Sequence, residues 1–203
     1  MLRLRTATAD DHRRVETALD LMDPALDRDR LTAAMSALHG FWAAAEAGLA
    51  GWADRHPGDA ALVDWPQRRR AHLYEADLEA LGAAVLSAWP ALPHVHDTDE
   101  ALGRMYVLEG ATLGGTFIDR HLATLPAVSG VRLRAFSPYG ERTGAMWHAY
   151  RRTTRAHTAE AGDADRVVRA ACDTFAALAR WVRVARRSPG SLHDRVTELT
   201  PLE

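Results

Sequence analysis

The chain has 203 residues, with 25 basic and 27 acidic side chains, a net charge of -2 and 47% hydrophobic content. That length and balance describe one globular domain able to bury a core unaided, and they exclude a disordered chain or a general polyanion binder. Every basic residue is arginine and Cys172 is the single cysteine, which excludes lysine Schiff-base chemistry, an internal disulfide, a cysteine-ligated zinc site and an iron–sulfur cluster.

The first residues, MLRLRTATADDHRR, are charged throughout and contain no apolar stretch of the kind a secretory signal needs. No run approaches the roughly 18 apolar residues of a membrane span, so the sequence predicts a cytoplasmic protein without a membrane partner. Helical spacing dominates and strand signals are scarce. The first helix is predicted from Thr8 as N-cap, with Val15, Leu19 and Met22 as its stripe and a stop before Pro24. Asp27 or Asp29 caps a second helix to about His56, carrying Leu31, Met35, Leu38, Trp42 and Leu49. Trp65-Pro66 opens a third, with Leu73, Leu78, Leu81 and Val85, ending before Pro90. After a proline-rich loop, a fourth helix starts near Thr98 and reaches about Leu125, carrying Leu102, Met105, Leu108 and Leu113. A fifth covers about Thr143–His157 and a sixth about Asp163–Arg187, where Cys172 reads as core. The predicted fold class is all-α: a single-domain multi-helix bundle over residues 1–190, with residues 191–203 as a C-terminal tail.

Three glycines, Gly110, Gly114 and Gly115, fall inside the fourth helix. Each costs about 1 kcal/mol relative to alanine in a helix interior. Either helices pack closely there or the helix simply ends at Gly114, or a kinked backbone must approach a flat ligand more nearly than side chains allow. His12 and Glu16 stand at i,i+4 on one face of the first helix, an arrangement in which a carboxylate orients an imidazole. A surface contact is the plainer reading of that pair. Arg5 lies seven residues before His12, and Arg151 follows Trp147 by four, so cationic heads and an aromatic body are available to an amphipathic ligand with carboxylates at its edge. The runs Arg68-Arg69-Arg70 and Arg151-Arg152 read as solvated helix faces, and His94 and His96 as loop residues. No Glu-x-x-His, His-Glu-x-x-His, Gly-x-Ser-x-Gly, Walker or Gly-x-Gly-x-x-Gly motif occurs, which argues against a di-iron bundle, a zincin, an α/β-hydrolase and a nucleotide-phosphate loop.

Taken in order, LRTATADDHRRVE resembles the N-terminal helix of haem oxygenases, YVLEGATLGGTFIDRHL their glycine-rich distal helix, and YGERTGAMWHAYRR the segment leading into their propionate-contacting helix. The Leu-Glu-Gly-x-x-Leu-Gly-Gly form is similar to the bacterial branch that supplies biliverdin to bacteriophytochromes. The resemblance implies a haem-oxygenase-like bundle in which haem is both cofactor and substrate. It implies that His12 ligates the iron, that Glu16 supports it, and that Thr8 holds the family's threonine position one turn earlier. It implies Gly110, Gly114 and Gly115 as the catalytic distal glycines, and Arg5 and Arg151 as propionate contacts. Its products would be biliverdin, carbon monoxide and ferrous iron. Electrons would come from an external donor (ferredoxin, a flavodoxin-type reductase or ascorbate), since the chain carries no flavin or nicotinamide motif, and a bacteriophytochrome would receive the biliverdin. Nucleic acid and membrane are not implied as partners.

Many members carry Asp directly after the first distal glycine, and this chain has Ala111 there. That departure keeps open a non-catalytic haem-binding sensor, store or carrier. A thiaminase-like helical protein would need a catalytic cysteine and a carboxylate pair in the core, and Cys172 falls late for that role. A bare interaction module is the remaining alternative.

Overall fold

The computed structural model describes residues 1–128 and 130–187, so the tail expected over 191–203 lies outside the described residues. Seven α-helices and no strand occur among them: α1 (Leu2–Leu19), α2 (Arg28–Arg55), α3 (Pro57–Leu62), α4 (Ala71–Ala80), α5 (Thr98–Leu122), α6 (Thr143–Glu160) and α7 (Ala164–Arg187). This is the all-α bundle that the sequence predicts, with one short helix, α3, added. None of the described helices is long and apolar enough to cross a membrane.

Local capping chemistry sets several boundaries. Asp27 caps α2, its side chain accepting from the Arg30 backbone N–H, and Asp97 does the same for Glu100 at the start of α5. Leu31, Met35, Leu38, Trp42 and Leu49 of α2 are all buried, as their spacing requires.

Two expectations are corrected. α1 starts at Leu2, so Thr8 is an interior helical residue and not a cap. Its buried hydroxyl donates to the Leu4 carbonyl at 2.8 Å, the i−4 alternative open to a helical threonine. Leu4, Thr8 and Val15 form the buried stripe, while Asp20 in the left-handed region ends the helix and leaves Met22 exposed outside it. The predicted third helix is shorter than expected. Residues 65–68 make a 3-10 turn, and α4 occupies only Ala71–Ala80. The carboxylate of Glu46, from α2, accepts the Arg70 and Ala71 backbone N–H groups at 2.5 and 2.9 Å and so caps α4 from a distant helix. At the other end Gly82, at φ +73, permits a left-handed turn, with Gly82 N–H donating to Glu79 and Ala83 N–H to Leu78. Val85, expected in that helix's stripe, is exposed in the loop.

α7 organises the rest. Both α5 and α1 pack extensively on α7 and barely touch each other, while α2 rests on α7 and α4. At the α5–α7 crossing a Cβ on Gly103 would press on the Val167 carbonyl and Ala170, so glycine there allows close approach. The Trp181 indole donates to the Ala37 carbonyl at 2.7 Å, tying α7 to α2. Because α1 and α5 share a support but not an interface, a cleft runs between them with Phe175 of α7 along it.

Candidate functional site

The cleft has an inner and an outer part. The inner cavity holds about 540 Å³ and the outer about 790 Å³, and both are bordered by His12, Gly110, Gly114, Phe117 and Phe175. Volumes of a few hundred cubic ångströms are those of sites for drug-sized ligands and cofactors.

His12 and Glu16 occupy the α1 wall. The imidazole Nδ1 lies 3.2 Å from Glu16 Oε2, and the two side chains are 51% and 64% exposed. The ring edge meets Phe175, with centroids 5.7 Å apart. With Nδ1 facing the carboxylate, Nε2 is the ring nitrogen left for a ligand, and Glu16 favours the tautomer with the proton on Nδ1.

α5 forms the opposite wall and runs without a break in helical assignment through its glycines. Gly110 and Gly114, one turn apart, share a face, and a Cβ on either would meet open space. Gly115 lies about 100° further round and does something else. A Cβ on it would overlap the carbonyl oxygen of Phe136, and it borders neither cavity. Its expected place among the cleft glycines is therefore corrected: Gly115 lets the 133–136 loop pack on α5. That loop is pinned by the buried Asp77 carboxylate, which accepts from the Arg134 and Ala135 backbone N–H groups at 2.8–2.9 Å. Phe117 and Leu113 of α5 and Met22 after α1 expose large apolar surface at the cleft, which a flat apolar ligand would cover.

The outer part gathers cations. Arg5, Arg13, Arg151 and Arg155 line it, and no carboxylate does. Burial, and then Arg155, Arg151 and Arg3, hold the Met1 amine below its usual pKa. Arg151 Nε is buried without a hydrogen-bond partner. The sequence-predicted Arg5 and Arg151 thus reach the same mouth as His12, and Thr8 borders it too, contacting the hydroxyl of Tyr106. Burial raises the Tyr106 pKa, and the Thr8 hydrogen bond opposes the shift. Trp147 packs on Tyr106 and Tyr150 behind these groups.

Behind α5 lies a polar cluster that the sequence reading missed. Arg68 and Arg70 were expected on a solvated face, yet they are 2% and 1% exposed, and only Arg69 between them reaches water. The 3-10 turn ends at Arg68 and Arg69 is extended, so alternate arginines enter the protein. Arg68 pairs with buried Glu109, whose other oxygen accepts from the Tyr139 hydroxyl at 2.9 Å. Arg70 Nη2 donates to the Leu108 carbonyl and lies 3.8 Å from Glu109 Oε1. Burial raises the pKa of Glu46, against the N–H groups of Arg70 and Ala71 that stabilise its anion. Arg70, Trp42 and Tyr74 also border the inner cavity. Among the described residues, no group of three or more His, Cys, Asp or Glu side chains is arranged to hold a metal ion.

Such a cleft suits a flat, carboxylate-edged ligand taken between one imidazole and a bare length of helix backbone. A family model for heme oxygenase matches residues 1–184, and the chain belongs to the haem oxygenase family. That family binds haem as its substrate, and membership makes oxidoreduction the general class of activity. No individually curated protein matches the chain.

Proposed function

We propose that the protein is a haem oxygenase that opens haem to biliverdin, carbon monoxide and ferrous iron, using dioxygen and electrons from an external donor. The observation that carries this reading is the opposition of His12 to the open faces of Gly110 and Gly114 across one cleft.

The residues present fit haem. An imidazole with one uncommitted nitrogen faces the cleft, the glycines leave room opposite it, and a cluster of arginines that includes Arg5 and Arg151 stands at the mouth. Bound haem would supply the iron and the oxidative chemistry, acting as its own substrate. His12 would hold the iron through Nε2, while Glu16 keeps the ring oriented and Nδ1 protonated. Arg5 and Arg151 would bind the propionates and so set the in-plane orientation, hence which edge of the ring faces the inner cavity. Gly110 and Gly114 would admit the macrocycle close to α5 while leaving little room for bulk water. Electrons would arrive from a ferredoxin, a flavodoxin-type reductase or ascorbate, and a bacteriophytochrome is the proposed recipient of the biliverdin.

A second reading, a non-catalytic haem sensor, store or carrier, draws on Ala111, which borders the inner cavity with a methyl group and no proton donor. One experiment separates the two. Hemin is added to the purified protein in air with ascorbate and the spectrum followed: the enzyme loses its Soret band and yields a bilin, whereas a carrier keeps the band. His12→Ala should abolish both turnover and the spectrum of histidine-bound haem. An unchanged spectrum in that variant would remove His12 from the site.

A further inference from the structure

Two buried N–H donors on residues that border the inner cavity have no acceptor. Arg70 Nε and Trp42 Nε1 are both shielded from solvent without a hydrogen-bond partner, and both residues border that cavity. The Arg70 guanidinium lies 5.5 Å from the Trp42 ring centroid. The lining of the same cavity includes the apolar side chains of Leu38, Val107 and Phe136. Burying an unsatisfied donor is costly, and more so when it belongs to a cation, so the pair calls for an oxygen or an anion.

The charge arithmetic points the same way. Glu109 is the nearest carboxylate to the Arg70 head, but it is engaged by Arg68 and Tyr139, and Arg70 stands 3.8 Å from its oxygen. Glu46 hydrogen-bonds the Arg70 backbone N–H and meets the head group only through space. Arg70 Nη2 donates to the Leu108 carbonyl and lies near Glu109, which leaves Nε as the unpartnered nitrogen on a residue that borders a low-dielectric cavity, where a fixed cation acts most strongly on a small ligand. Ala111, on the α5 wall of the same cavity, offers nothing to compete with it.

We propose that Arg70, seconded by the Trp42 indole, is the positioning residue of the inner cavity: it donates a hydrogen bond, through one water, to a small anion or oxygen ligand held between His12 and the glycine face of α5. The inference rests on haem occupying the cleft. It assigns to a cation from the 65–71 segment the polar function that α5 itself lacks at residue 111.

The test uses two probes of ferric and ferrous haem bound to the full chain. Fluoride reports distal hydrogen-bond donation, and the carbon–oxygen stretch of the carbon monoxide complex falls with positive potential beside the ligand. Removing one charge-assisted hydrogen bond predicts that Arg70→Met weakens fluoride binding by about ten- to a hundredfold. The carbon–oxygen stretch should rise while the His12-ligated Soret band is retained. Arg70→Lys should recover part of both effects. A folded Arg70→Met protein with wild-type fluoride affinity and stretch overturns the proposal. Should neither variant fold, the wild-type stretch decides alone. A value below that of a carbon monoxide haem–imidazole complex in apolar solvent supports Arg70, and an equal value overturns it. Failure of the wild-type chain to bind haem through His12 is a different outcome, since it removes the proposed function and this inference together.

Discussion

Two adjacent glycines should respond in opposite ways to the same substitution. Alanine at either 114 or 115 gains about 0.5–1 kcal/mol of helix propensity in the middle of α5. At 114 the added methyl meets nothing, so haem-free Gly114→Ala should be more stable by that amount, or roughly 1–4 °C in Tm for a chain of this size. At 115 the methyl overlaps a backbone carbonyl, that of Phe136, in a loop whose N–H groups are clamped by Asp77. Overpacking typically costs about 1–3 kcal/mol, and the upper half applies where the neighbour is pinned backbone. The net expectation for Gly115→Ala is a loss of about 1–2.5 kcal/mol, and because the propensity gain is common to both, the two variants separate by the overpacking cost of roughly 2–3 kcal/mol. Urea unfolding of both haem-free variants reads this difference, and hemin titration supplies the other half: Gly114→Leu should block haem while leaving the fold intact. If Gly115→Ala proves as stable as Gly114→Ala, the division of labour along α5 is wrong. If Gly114→Leu binds hemin normally, the open face at 114 is not where haem lies.

Two further expectations concern buried charge. Glu109→Gln leaves Arg68 and Arg70 facing a neutral amide at a site only 1–2% exposed, and breaking a buried pair from one side costs about 3–5 kcal/mol. Urea midpoints at neutral pH check this, and a loss under about 1 kcal/mol would mean that water reaches the cluster. His39 is buried with Nδ1 unpartnered, and desolvation lowers its pKa from 6.5 in the folded state. The unfolded chain therefore takes up a proton first on acidification. The stability contribution is intact above pH 6.5 and declines as pH drops through the window between the unfolded and the folded pKa, by at most about 1.4 kcal/mol per pH unit. His39→Leu should flatten that part of the stability–pH curve, and identical slopes in both proteins would refute the assignment.

What the sequence made legible was mostly local. Asp27 is recognisable as a cap because its partner, the Arg30 N–H, is three residues away. The i,i+4 geometry of His12 and Glu16 is fixed by the helix alone, and the structure keeps it at 3.2 Å. Errors arose where a distant element decides. Thr8 carries a capping residue's chemistry, but α7 offers a packing surface to Leu4 and Val15, and the helix extends past the signal. The start of α4 is capped by Glu46 from another helix, which no neighbouring residue announces. Gly82 was a missed local signal, a glycine just after a leucine-rich helical run. Arg68 and Arg70 read as surface charge because their acid partner, Glu109, is some forty residues away in the chain.

The glycines show most clearly how sequence and function separate. As a triplet they are conspicuous in the sequence, yet their reasons differ, and each depends on what faces the helix. Gly103 and Gly115 are offset within the fold itself, because their missing side chains let α7 and the 133–136 loop approach. Gly110 and Gly114 have no such compensation in the chain as it stands. They weaken α5 by about 1 kcal/mol each and leave Phe117 64% exposed beside them. A helix that gives up stability on one face, next to uncovered aromatic surface and opposite an imidazole, is stabilised only when something flat lies there. That local conflict is what a binding site looks like in a fold whose other choices agree with one another.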